Sequence, residues 1–152
     1  MDYQTIQLNE FRVIGITVRT SNEKSDNKDM DDINVLWKIF QEQDIRNKIP
    51  HKESQEIVSL YTNYEKDFNG PYSVILGYRV TSIDEVPEGM VAKTVPASKY
   101  AVFHVKGDNL SQDIIKTWQK IWFAGLNRTY TGDFDVYMVE NTHEADIFVA
   151  IK

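Results

Sequence analysis

The chain has 152 residues, of which 41% are hydrophobic, 12% aromatic and 26% charged, with a net charge of −6 at pH 7. That length suits one domain with a substantial core, and the acidic balance disfavours a phosphate-backbone partner, which requires a basic face. The absence of cysteine excludes disulfides, thiolate catalysis and cysteine-ligated metals. With no signal peptide and no apolar run near the ~20 residues of a membrane helix, a cytoplasmic protein is expected.

Phe11 to Thr20 is β-branched and apolar, which predicts a strand, and the polar stretch Ser21 to Lys28 predicts a loop. From Asp29 onward, Ile33, Leu36, Trp37 and Phe40 recur at i, i+3, i+4 and i+7, one stripe of an amphipathic helix. Ile57 to Thr62 and Tyr72 to Val80 read as a hairpin joined through Asn69-Gly70-Pro71. A connector with Pro87 and Gly89 leads to a short strand at Val91 to Val95.

The order then repeats. Lys99 to Lys106 predicts a strand, and Ser111 is placed to cap a helix striped by Ile114, Ile115, Trp118, Ile121 and Trp122. Phe134 to Glu140 and Ile147 to Ile151 predict a closing hairpin. The expected fold is α+β: two strand–helix–strand–strand units, about 1–82 and 90–152, related by a pseudo-twofold. They would share one antiparallel sheet, with helices on one face and a ligand groove between the halves. Tyr61 corresponds to Tyr137 in this scheme, and Ser59 to Asp135.

The strand around Asp135 carries the most chemistry. Strand side chains alternate with period two, so Asp135 and Tyr137 share one face while Phe134, Val136 and Met138 share the other. The apolar set suits a helix-covered core, which leaves Asp135 and Tyr137 facing solvent or a cavity. A carboxylate beside an aromatic wall is what a lipophilic cation needs.

In its order of motifs the chain resembles the gyrase-inhibitor-like proteins and the effector-binding domains of AraC- and MerR-type multidrug regulators. The matching pieces are Phe11-Arg12-Val13-Ile14-Gly15, Leu36-Trp37-Lys38-Ile39-Phe40, Leu76-Gly77-Tyr78-Arg79-Val80 and Val86-Pro87-Glu88-Gly89-Met90. Further along come Lys99-Tyr100-Ala101-Val102-Phe103, Gly107, Thr117-Trp118 and Phe134-Asp135-Val136-Tyr137. The resemblance covers nearly the whole chain. It implies a duplicated fold whose aromatic-lined pocket holds hydrophobic cations on a buried acid of the penultimate strand. Glu is usual at that position; here it is Asp135, one methylene shorter. No helix-turn-helix is present, so a free-standing domain is expected, without direct DNA binding or membrane contact.

The candidate ligand-binding residues are therefore Asp135, Tyr137, Phe148, Trp122, Tyr78, Tyr61 and Trp37. Phe148 enters as a wall residue of the last strand, and Trp122 as the indole nearest the groove edge. The competing reading for Trp37, Trp118 and Trp122 is core packing, since all three lie in helical stripes. His51, His104 and His143 lack ligand spacing, and no catalytic or phosphate-binding motif occurs, so no catalytic residue, metal or cofactor is assigned. The leading expectation is a small-molecule-binding domain for lipophilic, above all cationic, ligands. Two alternatives stay open: hydrolysis of electrophilic toxins with Asp135 as general base, and a protein-interaction role with gyrase or a transcription regulator as partner.

Overall fold

The computed structural model describes residues 2–21, 28–67, 70–139 and 141–152. Most of the expected loop at Ser21 to Lys28, Asn69 of the expected turn and Glu140 of the expected strand lie outside them. The elements run β1 (Gln4–Leu8), β2 (Phe11–Ser21), α1 (Lys28–Glu42), α2 (Ile45–Lys48), β3 (Ile57–Thr62) and β4 (Pro71–Val80). They continue with β5 (Val91–Val95), β6 (Ser98–Lys106), α3 (Leu110–Trp122), β7 (Asp133–Tyr137) and β8 (Glu144–Ile151). All eight strands join one antiparallel sheet in the order β1-β6-β8-β7-β3-β4-β2-β5.

Both long helices cover the same face of this sheet. Leu36 and Phe40 of α1 are buried against Ile14, Ile16, Val74, Leu76 and Tyr78. Ile114 and Ile121 of α3 are buried against Phe103, Val105, Ile147 and Val149. Asn109 caps α3, its side chain accepting from the Gln112 amide at 3.4 Å. Ser111, the expected cap, lies inside the first turn, because Asn109 is the residue placed to reach a free amide. The helix ends at Trp122, and Gly125 follows with φ +73°, a left-handed turn that glycine adopts without a Cβ clash.

The opposite face closes on itself. Phe11 of β2 meets Phe134 of β7 edge-on, with ring centroids 5.0 Å apart, although β4 and β3 lie between them. Three strand spacings in a flat sheet would separate those backbones by about 14 Å, so the sheet is strongly curved. Phe11, Val13, Val58, Leu60, Ile75, Tyr100, Phe134 and Ala150 fill the hollow. Gly15 and Gly77 are directly paired on this concave side, and a Cβ on Gly77 would stand 1.9 Å from the Ile14 carbonyl oxygen. Only glycines permit so close a backbone approach.

This curvature corrects one expectation. Phe134 and Val136 pack into the concave core, whereas Asp135 and Tyr137 lie under the helices. The apolar half of an alternating strand was assigned to the helices because helices bury apolar surface; here the sheet buries it against itself. Met138 lies beyond the end of β7. β1 and α2, absent from the sequence reading, are weak signals: most of β1 is exposed, and α2 is a single turn.

Candidate functional site

β7 and β3 form the middle of the sheet and set the floor of the site. Ser59 pairs with Asp135 and Tyr61 with Asp133, so Asp133, Asp135, Ser59 and Tyr61 present side chains on the helix-covered face. Asp135 is fully buried. Its Oδ2 accepts from the Tyr61 hydroxyl at 2.6 Å and from the Tyr137 hydroxyl at 3.3 Å. Its Oδ1 accepts from the Trp118 indole Nε1 at 2.9 Å. Tyr61 reaches it along the diagonal of the strand pair, a span that an aromatic side chain covers. From the other helix, Trp37 meets Tyr137 edge-to-face at 5.0 Å, and Tyr61 meets Trp118 at 5.4 Å.

The site thus draws on α1, β3, α3 and β7, and its aromatic members are half-buried around a buried carboxylate. Burial raises the Asp135 carboxyl from its ordinary 3.8 to about 7, against the opposing pull of the donors Tyr61, Trp118 and Tyr137. The phenols of Tyr61 and Tyr137 are raised well above their usual value, first by burial and then by the adjacent negative charge of Asp135. At neutral pH the carboxyl is poised between its acid and its anion.

A second buried carboxylate lies two residues earlier on the same face. Asp133 Oδ1 accepts from the Ala150 amide at 2.8 Å, and its Oδ2 accepts from the Tyr64 hydroxyl at 2.6 Å. Arg128 Nη2 donates to that same Oδ2 at 2.7 Å, in an ion pair whose side chains are 3% and 0% exposed. The Arg128 guanidinium lies over the Tyr130 ring at 4.4 Å and over the Trp118 ring at 5.7 Å. The fold therefore seats one cation of its own between aromatic faces and a buried carboxylate, right beside Asp135.

Of the residues named from sequence, Asp135, Tyr137, Tyr61 and Trp37 are brought together here. Phe148 is not, because it pairs with Phe134 and stacks on it at 4.5 Å across the concave face. Tyr78 packs on Phe40 in the α1 core, at 5.8 Å. Trp122 lies one turn beyond Trp118 on α3, half-buried, and is not one of the three groups that bond Asp135. Sequence reading assigned Trp118 to packing and passed over Asp133, Tyr64 and Arg128. The alternation rule that selected Asp135 also selects Asp133; nothing local marks Arg128. A cavity of about 560 Å³ lies elsewhere, between Tyr3, Phe103, Lys120, Leu126 and Ile151, and contains none of the predicted residues.

Eight antiparallel strands under helices on one face, with an acid enclosed by aromatics, define an α+β fold of the effector-binding class. The chain belongs to the Cass2 family: the family model described as "Cass2: Integron-associated effector binding protein" matches residues 5–151. YobU of Bacillus subtilis (strain 168) is 32% identical over 148 residues, 93% of this chain and 92% of that protein. An integron cassette protein from the mobile metagenome of Vibrio cholerae is 29% identical, with a TM-score of 0.76 over 99% of this chain and 95% of the other. SAV2435, solved bound to tetraphenylphosphonium, shares the fold at 18% identity, with a TM-score of 0.77 over 100% of this chain and 94% of the other. No described helix is long and apolar enough to cross a membrane.

Proposed function

We propose that the chain is an effector-binding domain that captures lipophilic cations on Asp135. The observation that carries this reading is a fully buried carboxylate, without a cationic partner among the described residues, held by three aromatic donors. Burial makes its charged form costly, and an arriving cation removes that cost. Selectivity then follows charge and apolar surface more than shape. Rings such as Tyr61, Trp118 and Trp37 would each add ~0.5–2 kcal/mol of cation–π attraction. Tyr137 holds the longest of the three bonds and is half-buried, so its displacement gives a guest access to Oδ2. Tetraphenylphosphonium, to which SAV2435 was solved bound, is a lipophilic cation of this kind.

Both oxygens of Asp135 are engaged by donors, which favours capture over proton abstraction from a water. We extend the proposal to the architecture: one domain made of two half-units, with the site at their junction. The sheet order supports it, since β2-β4-β3 and β6-β8-β7 run outward-to-centre in the same sequence and meet at the Ser59–Asp135 pair. The aspartate in place of the usual glutamate draws the charge closer to the sheet, so the guest must reach deeper.

Titration with tetraphenylphosphonium, read by intrinsic tryptophan fluorescence, tests the function, because Trp118 is bonded to the carboxylate itself. A saturable change is expected, weakened at least about tenfold in Asp135→Asn. The absence of saturation in the wild type, or equal affinity in the folded variant, would refute it.

A further inference from the structure

Arg128 holds more hydrogen-bonding capacity than the fold uses. Its side chain is 3% exposed and one nitrogen, Nη2, is bonded to Asp133. The buried Nε and Nη1 find no acceptor among the described residues. A guanidinium stays charged at any working pH, and a charged donor buried without an acceptor carries the full penalty of its lost water. The orphaned donors are not loosely placed. Tyr130 covers the guanidinium from a left-handed backbone conformation, φ 58°, that non-glycine residues rarely adopt. Trp118 flanks it from the other element.

Trp118 ties these donors to the cation site. The indole N–H bonds Asp135, while the ring faces the Arg128 guanidinium. Further contacts close the enclosure: Tyr61 with Tyr72, Tyr72 with Tyr64, and Tyr64 with Tyr130. A guest lying against Trp118 would therefore sit near both the carboxylate that the indole N–H bonds and the guanidinium over the ring, whose Nε and Nη1 have no acceptor among the described residues. Asp133 is already neutralised by Arg128, so that corner offers no attraction to a second cation.

We propose that Arg128 is a specificity-determining residue of this site: it accepts guests that carry a hydrogen-bond acceptor across the ring from their positive charge, and it rejects dications. This rests on the reading of Asp135 as the cation anchor. The preferred effector class is then an aromatic cation bearing a carbonyl, or a zwitterion bearing a carboxylate, in place of an unadorned lipophilic cation.

Three phosphonium probes of matched bulk separate the possibilities by isothermal titration calorimetry. Triphenyl(4-acetylphenyl)phosphonium carries an acceptor, and triphenyl(4-isopropylphenyl)phosphonium has the same shape without one. Triphenyl(4-trimethylammoniophenyl)phosphonium carries a second positive charge. Wild-type protein is expected to bind the acetyl probe about tenfold or more tightly than the isopropyl probe, and the dication weakest. In the charge-balanced pair Arg128→Met with Asp133→Asn, the ratio of acetyl to isopropyl affinity should fall to about one. Equal wild-type affinity for the acetyl and isopropyl probes overturns the role of Arg128 and leaves the cation site standing. Failure of all three probes to bind overturns both readings.

Discussion

Replacing Asp135 by Asn should stabilise this protein while removing its proposed function. Holding the Asp135 carboxyl at about 7 instead of 3.8 corresponds to roughly 4 kcal/mol between its two protonation states. The folded carboxyl binds its proton more tightly than the unfolded one. Its contribution is therefore most favourable at low pH, and stability falls as pH rises from about 4 to about 7, then levels off. An amide cannot ionise, so this slope should disappear in the variant. The amide also fits the cluster: its oxygen can accept from Trp118, which only donates, and its N–H groups can face the Tyr61 and Tyr137 hydroxyls, which can rotate to accept. Imperfect geometry costs part of the gain, leaving the variant about 2–4 kcal/mol more stable at pH 8. Urea unfolding of both proteins from pH 4 to pH 8 measures the difference directly. Parallel profiles, or a variant less stable than wild type at pH 8, would show that Asp135 carries no stored desolvation cost.

Tetraphenylphosphonium affinity should tighten as pH rises toward 7, approaching tenfold per pH unit well below it, and flatten above, because only the ionised carboxyl offers a charge. Calorimetry in buffers of differing ionisation enthalpy would detect the proton released. Trp118→Phe keeps a ring but deletes the N–H that favours the anion, so the carboxyl should titrate about one pH unit higher, measurable by carboxyl-carbon NMR. Gly77→Ala forces a Cβ onto the Ile14 carbonyl and should destabilise the fold by about 3 kcal/mol or more in urea unfolding. His104 is held between Asp146 Oδ1 at 2.7 Å and Glu144 Oε1 at 3.0 Å, and these bonds raise its pKa. Its stabilising contribution is present below the unfolded pKa and is lost as pH rises through the higher folded one. Being half-exposed, it should amount to well under about 1 kcal/mol, visible as an upshifted imidazole titration by NMR and a small loss in His104→Gln at pH 6.

Alternation along a single strand was enough to place Asp135 and Tyr137 on one face, and cross-half correspondence picked out Tyr61. These are local properties, fixed by the period of a β-strand. Which face the helices cover is not local. It follows from the curvature of the whole sheet, and that depends on Gly15 facing Gly77 across two strands far apart in sequence. Once the faces exchange, Phe148 follows Phe134 into the concave core. Arg128 was illegible for another reason: an arginine in a polar connector reads as solvated, and only the folded chain shows the carboxylate that draws it inside. Trp118 looked like packing because an indole in an apolar stripe does pack; its N–H edge finds Asp135 only through the fold.

Two edge strands are exchanged between the chain's first and second parts. β1 precedes β2 but pairs with β6, while β5 precedes β6 but pairs with β2. Neither part can complete its own border, so each is clasped by a strand belonging to the other. Gln4 must wait for Val102, and the central β3–β7 ladder also joins residues remote in sequence, such as Ile57 and Tyr137. Such long-range pairing incurs loop-closure entropy before any reward and slows folding. Burial of the Asp135 carboxylate depends on such ladders, because β7 lies between β3 and β8. A nascent chain would lack the proposed site until β7 and β8 are both available, which would make capture of a ligand a report that folding has finished.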